Sequence, residues 1–246
     1  MMTRCDLSTH SSTPLSEFWA GSRGIFPLVV GAIPFGIIYG TLATGSGLSV
    51  AGTLAMSAFV FAGSAQFIAV GLMATGTALP LILLTTLVVN LRHLLYAISL
   101  LPYIRHLPQH WKIPIGFWLT DEAFAVTIAR YSQNDSSPYK HWYYLGAVLL
   151  MYGNWQLCTL IGVSIGQRLP GTVNWGLDFA MSVTFIGMVI PYLKTQQMLV
   201  AVLVAGVMSL LAHPLPHQLG LIVAALAGVV AGFSTEKLKL KGVRDE

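Results

Sequence analysis

The sequence predicts an all-α integral membrane protein, a polytopic helical bundle of about eight transmembrane segments, some of them broken or re-entrant. Three observations carry that prediction. Charged residues make up 9% of the 246-residue chain and apolar residues 55%, with a mean hydropathy of +0.71, whereas a soluble domain carries about 25% charged residues. Apolar stretches long enough to cross a bilayer recur along the whole chain. Lysine and arginine gather between those stretches, and Tyr103, Trp111, Trp142, Tyr143, Tyr144 and Tyr192 stand near their ends, where interfacial aromatics belong.

Taken in order, the first expected span is Phe26 to about Thr44, and Pro34 within Gly31-Ala-Ile-Pro-Phe-Gly36 predicts a kink in it. The second runs from about Leu48 to Ala74 and the third from Leu79 to Leu101. The fourth is Ile113 to Tyr131, the fifth Tyr143 to Ile165, and the sixth Val173 to Leu193. Gln197 to Leu211 and His217 to Phe233 are barely long enough to cross and read as tilted or re-entrant. Eight is the preferred count and seven the alternative. Residues 1–25 read as a cytoplasmic N-terminal tail without a cleaved signal peptide, 26–233 as the transmembrane domain, and 234–246 as a basic cytoplasmic C-terminal tail.

Charge sets the expected orientation. With eight spans, Arg4, Arg23, Arg130, Lys140, Lys194, Lys237, Lys239, Lys241 and Arg244 share one side, against Arg105, Lys112 and Arg168 on the other. That bias places both termini in the cytoplasm. The net charge of +4 comes from scattered loop and tail residues rather than a basic stripe, which argues against a nucleic-acid partner. Cys5 and Cys158 are the only cysteines, and no metal-ligand spacing exists, so neither a disulfide, a metal nor a cofactor is expected.

Chemistry concentrates in Asn90-Leu-Arg-His-Leu-Leu-Tyr-Ala-Ile-Ser99. Charge at membrane depth costs about 2.5–3.5 kcal/mol even on insertion scales, so Arg92 needs a partner or a purpose. At about 100° per residue, Arg92, His93, Tyr96 and Ser99 share a face about 120° wide, with Asn90 outside it nearest His93. Only Asp121, Glu122 and Asp178 among the acids fall inside expected spans. Spans three and four form a hairpin that puts Arg92, Asp121 and Glu122 roughly 12–14 Å from one face. An ion pair of Arg92 with Asp121 or Glu122 is expected, and the choice between the acids is open. The pair either only fixes packing or marks a substrate or proton path, with His93 able to titrate beside it.

A second signal is Phe61-Ala-Gly-Ser-Ala-Gln-Phe67 in mid-span. Gly63, Ser64 and Gln66 suggest a helix break whose freed backbone could hold a polar ligand, or close packing with Gln66 bridging helices. Asn154, Gln156 and Asp178 read as structural, and Tyr152-Gly-Asn-Trp155 as a minor pocket candidate.

In order along the chain stand Pro34-Phe-Gly36, Ala62-Gly-Ser-Ala-Gln-Phe67, Asn90-Leu-Arg-His-Leu-Leu-Tyr96 with Ser99, and Leu119-Thr-Asp-Glu-Ala-Phe124. Together they resemble the AzlC family, the large subunit of bacterial branched-chain amino acid exporters, from about Arg23 to Phe233. The resemblance implies a secondary exporter of leucine, isoleucine and valine, with methionine as a further candidate, in the bacterial inner membrane. It also implies a small AzlD-type membrane subunit as partner. The chain shows no P-loop, and an ATPase partner is not expected.

On this reading Gly63, Ser64, Gln66, Asn90 and Tyr96 contact substrate, while Arg92, His93, Asp121 and Glu122 couple or gate its movement. Phe35, Phe67 and Phe124 are candidate apolar walls. The rival readings are a channel or carrier for another small solute, an intramembrane enzyme using His93 with an acid, and a purely structural subunit. The enzyme reading lacks a nucleophile or metal site.

Overall fold

The computed structural model describes residues 13–133, 137–168, 186, 190, 193, 195–215 and 219–242. Among these the secondary structure is helical, in nine helices. They are α1 (Pro14–Gly45), α2 (Val50–Phe59), α3 (Gly63–Ala74), α4 (Leu79–Ile104), α5 (Gln109–Phe117), α6 (Asp121–Tyr131), α7 (Lys140–Arg168), α8 (Gln196–Leu211) and α9 (Leu219–Gly242). Three stretches among the described residues are long and apolar enough to cross a membrane: Pro14–Gly45, Leu79–Ile104 and Lys140–Gly166. The expected sixth span and Asp178 lie outside the described residues.

Contacts divide the chain into two compact units, residues 1–44, 48–63 and 90–169 in the first, and 45–47, 64–89 and 170–246 in the second. The first unit is built on α1 and α7, which run in the same direction. Ser22 Oγ donates to the Gly146 carbonyl and Thr41 Oγ1 to the Gly162 carbonyl, each at 3.0 Å. Glycine makes the approach close enough: a Cβ at Gly40 would run into the Thr159 carbonyl, and one at Gly162 into the Ile37 carbonyl. In lipid, where apolar surface gives helices little reason to associate, such backbone-to-backbone fit and interhelical hydroxyl bonds supply the attraction.

α1 starts well before the expected span. Residues 14–25, expected to be tail, belong to it, and Glu17, Gly21, Ser22 and Ile25 are buried. Thr13 and Ser16 exchange backbone-to-side-chain bonds at 2.9 and 3.2 Å, a reciprocal cap that opens the helix. α1 stays helical through both Pro27 and Pro34.

The second expected span is broken. α2 ends at Phe59 and α3 begins at Gly63, as the Gly-Ser-Gln run suggested. Breaking a helix inside a bilayer strands backbone carbonyls with no water to receive them. α7 answers them: Tyr152 donates its hydroxyl to the Ala58 carbonyl at 3.1 Å, and Gln156 donates Nε2 to the Ser57 carbonyl at 3.0 Å. Ser57 and Thr159 hydroxyls bond each other at 3.0 Å beneath them.

The fourth expected span corrects the sequence reading: it does not run straight through. It is two short helices, α5 and α6, that meet at Trp118-Leu119-Thr120. α5 runs alongside α7 in the same sense, since Trp111 packs on Trp142 at 5.3 Å, Tyr144 donates to the Ile115 carbonyl at 2.8 Å, and Trp118 packs on Tyr152 at 5.9 Å. α6 then returns alongside α4, with Phe124 stacked on Tyr96 at 4.5 Å and Tyr131 facing Tyr103 at 6.0 Å. At 1.5 Å per residue the arms are about 14 and 16 Å long, each about half a hydrocarbon core.

The consequence is a second correction. The loops after α4 and after α6 lie at the same end of the first unit, together with the start of α1. Arg105 and Lys112, expected opposite Arg130 and Lys140, therefore share an end with them and with Arg23.

In the second unit, α8 and α9 form an antiparallel pair. Small residues again permit the approach, with Gly228 against Ala201 and Ala205, and Gly220 against Ala212. Thr195 caps α8 by accepting from the Met198 amide at 3.3 Å. α9 continues through residues expected to be tail, and Lys237 lies 4.8 Å over the Phe233 ring.

Candidate functional site

The site of the first unit forms where α5 gives way to α6. Thr120 caps α6, its hydroxyl accepting from the Ala123 amide at 3.2 Å. That places Asp121 and Glu122 in the first turn, where the positive end of the helix dipole favours carboxylates. α4 passes this tip and presents Arg92, whose Nη1 donates to Asp121 Oδ2 at 2.5 Å. The open choice between acids is thus resolved in favour of Asp121. Glu122 forms no ion pair among the described residues.

The depth arithmetic from sequence located the right level for a reason it did not contain. Asp121 matches Arg92 because α5 climbs back from the loop before the chain turns, and not because one straight helix passes Arg92.

Around the pair, His93 Nδ1 lies 3.2 Å from the Asn90 carbonyl oxygen, and its ring meets Tyr96 edge-on at 5.8 Å. Tyr96 in turn stacks on Phe124 of α6, so α4 and α6 are joined by charge and by ring contact within one turn. Ser99, expected on the same polar face, is exposed, and its hydroxyl donates back to the Leu95 carbonyl of its own helix. Asp121 Oδ1, Asn90 Oδ1, Trp118 Nε1 and Trp155 Nε1 are buried with no hydrogen-bond partner among the described residues.

The first break carries the other expected residues. Gly63 opens α3 against Trp155, whose ring would stand 3.0 Å from an added Cβ. Ser64 and Gln66 follow in the first turn, both buried, Gln66 completely. Phe61 of this break packs on Tyr152 at 5.0 Å, on the same ring that receives Trp118 of the second break. Tyr152 is thus the side chain through which the two interruptions of the first unit meet. Its run Tyr152-Gly-Asn-Trp155 was a minor candidate from sequence, whereas Asn154 and Gln156 bond backbone carbonyls, as structural residues do.

A second ion pair escaped sequence reasoning. Arg130, at the far end of α6, donates to both carboxylate oxygens of Glu17, at 2.5 and 3.2 Å, and Ser137 donates to the same carboxylate at 2.9 Å. Glu17 is 5% exposed. α6 is therefore tied by charge at both ends, to α4 at its tip and to α1 at its base.

Helices long enough to cross, broken helices whose stumps are satisfied by neighbouring side chains, and an arginine–aspartate pair inside the bundle define an integral membrane protein of the multi-helix kind. The AzlC protein family model matches residues 27–169, and the chain belongs to the AzlC family.

Its relatives agree. The inner membrane protein YgaZ of Escherichia coli (strain K12) is 29% identical over 94% of this chain and 95% of its own length. The branched-chain amino acid transport protein AzlC of Bacillus subtilis (strain 168) is 32% identical over 73% of this chain and 70% of its own. An uncharacterized membrane protein of Archaeoglobus fulgidus is 30% identical over 92% of this chain and all of its own length. No solved structure matches.

Proposed function

We infer that this chain is the large subunit of a two-component secondary transporter that exports branched-chain amino acids across a bacterial inner membrane. The observation that carries the reading is the Arg92–Asp121 pair at the tip of a broken helix. Intramembrane ionisable groups of this kind mark substrate or ion paths, and interrupted helices supply polar groups at mid-depth. The Bacillus subtilis relative, a branched-chain amino acid transport protein, supplies the substrate class. Leucine, isoleucine and valine are the proposed substrates, methionine a further one, and an AzlD-type small membrane protein the proposed partner.

Arg92 and Asp121 act as the gating or coupling pair, His93 as proton relay, and Glu122 as a second carboxylate in that path. Asn90 and Tyr96 contact substrate from α4, and Gly63, Ser64 and Gln66 keep the role of contacts at the first break. The basic end of the first unit, with Arg23, Arg105, Lys112, Arg130 and Lys140, faces the cytoplasm by the positive-inside rule. A cytoplasmic N-terminus follows, and a cytoplasmic C-terminal tail is proposed from its own lysines, Lys237, Lys239 and Lys241. The chain works as a carrier, not an enzyme.

Efflux of labelled leucine from preloaded cells tests this. The comparison is the chain with its small partner against the Arg92→Ala variant with the same partner. Faster efflux that requires Arg92 supports the reading. Equal efflux in cells with and without the complex, both proteins being in the membrane, sinks it.

A further inference from the structure

Charged and imidazole side chains are rare inside the helices, and those of the described residues gather at one level. From Phe26 to Ile104 the chain carries only Arg92 and His93, and from Ile113 to Ala129 only Asp121 and Glu122. From Trp142 to Gln167 it carries none, and α8, with α9 as far as Thr235, adds none. Among the described residues this level therefore holds two carboxyl groups and one permanent cation.

Asp121 has that cation, since Arg92 Nη1 donates to its Oδ2 at 2.5 Å. Glu122 is the next residue of the same first turn, about 100° further round the helix, so its side chain leaves α6 on another side. It is partly buried, and among the described residues neither Arg92, His93 nor any other basic side chain forms an ion pair with it. The two adjacent acids are thus not equivalent.

An ionised carboxylate without a counter-charge is costly at membrane depth, and that cost disappears when the group takes up a proton. The dipole at the start of α6 favours the ionised form, but only weakly beside that cost. A proton on Asp121, in contrast, would have to displace a charge-assisted bond to a guanidinium that keeps its own protons.

We propose that Glu122 is the group that takes up and releases the transported proton, while Asp121 stays on Arg92 as the fixed part of the site. The proposal rests on the carrier reading above and gives it a coupling ion. The step is a plain exchange: the carboxylate accepts a proton from water on one side of the membrane, and the carboxylic acid returns it to water on the other. The neutral acid tolerates apolar surroundings that the carboxylate does not, which links the proton to the conformational change.

The first arm of the test labels the full chain in membrane vesicles with dicyclohexylcarbodiimide, which attacks protonated carboxyl groups in apolar surroundings. Cleavage after Lys112 and Arg130 releases a peptide whose only acidic side chains are Asp121 and Glu122, and fragmentation locates the adduct. Label on Glu122 roughly tenfold or more above Asp121, falling as the pH is raised, is expected. Label mainly on Asp121, equal label on both, or none on either overturns the proposal. This arm needs no substrate, so it answers whether or not the chain carries leucine. The second arm follows leucine efflux under an imposed proton gradient, with the small partner present. The gradient should accelerate efflux by the natural complex and leave the rate of Glu122→Gln unchanged, whereas a gradient response retained in Glu122→Gln overturns the proposal. Leucine unmoved by the natural complex sinks the leucine reading alone, and the labelling then decides the proton site.

Discussion

Arg92 and Asp121 are each other's counter-charge in a place where neither is well hydrated. Their side chains are 29% and 19% exposed, so breaking the pair costs less than the 3–5 kcal/mol typical of a fully buried one. Arg92→Ala should destabilise the chain by about 1–3 kcal/mol, read as thermal unfolding in detergent. The exchanged double variant, Arg92→Asp with Asp121→Arg, should recover part of the loss, and no recovery would mean that the pair is not the source of it. Glu17→Gln should cost more than Arg92→Ala, because Glu17 and Arg130 are only 6% and 13% exposed and Glu17 accepts three donors. The first pair was legible in the sequence because an arginine and an acid in apolar surroundings at one depth have few other partners. Glu17 was not, because hydropathy marks where apolar density begins and not where a helix begins. The signal was there in Thr13-Pro14-Leu-Ser16-Glu17, a cap residue followed by proline and an acid.

The helices depend on a few contacts that either close a broken end or let two backbones touch. Tyr152→Phe leaves the Ala58 carbonyl without its donor, and a loss of about 1–3 kcal/mol is expected from an unsatisfied buried acceptor. Two glycines of α7 give a sharper contrast. Gly162→Ala would push a methyl group into the Ile37 carbonyl and should lower the unfolding midpoint, while Gly153→Ala meets nothing within 4 Å and should be neutral or stabilising by up to about 1 kcal/mol. Equal effects at the two positions would show that α1 and α7 are not in close contact. The break before Gly63 could be read from small and polar residues in mid-span. The break at Trp118-Leu119-Thr120 was hidden, because tryptophan and leucine keep the local hydropathy high. Thr120 followed by Asp121 and Glu122 is nonetheless a helix start, with a cap and acids in the first turn.

For the whole molecule, a membrane protein follows from composition, since 9% charged residues is far below the about 25% of a soluble domain, and the family follows from the motifs around Arg92 and Asp121. Topology does not follow, since an apolar stretch from Ile113 to Tyr131 is as long for a dip and return as for a crossing. Counting charges across that stretch as if it crossed put Arg105 and Lys112 on the wrong side of Arg130 and Lys140. Returning the chain at Trp118-Leu119-Thr120 collects these basic residues at one face and explains how Asp121 reaches Arg92. The central claim is therefore that residues 109–131 enter and leave by the same membrane face. The most direct test places single cysteines at His110 and at Gln133, both exposed, with Cys5 and Cys158 replaced by serine, and labels intact cells and inverted vesicles with an impermeant maleimide. The account predicts that both cysteines react in inverted vesicles and neither in intact cells. Reaction of one from each side would contradict it, and would return the segment to a simple crossing.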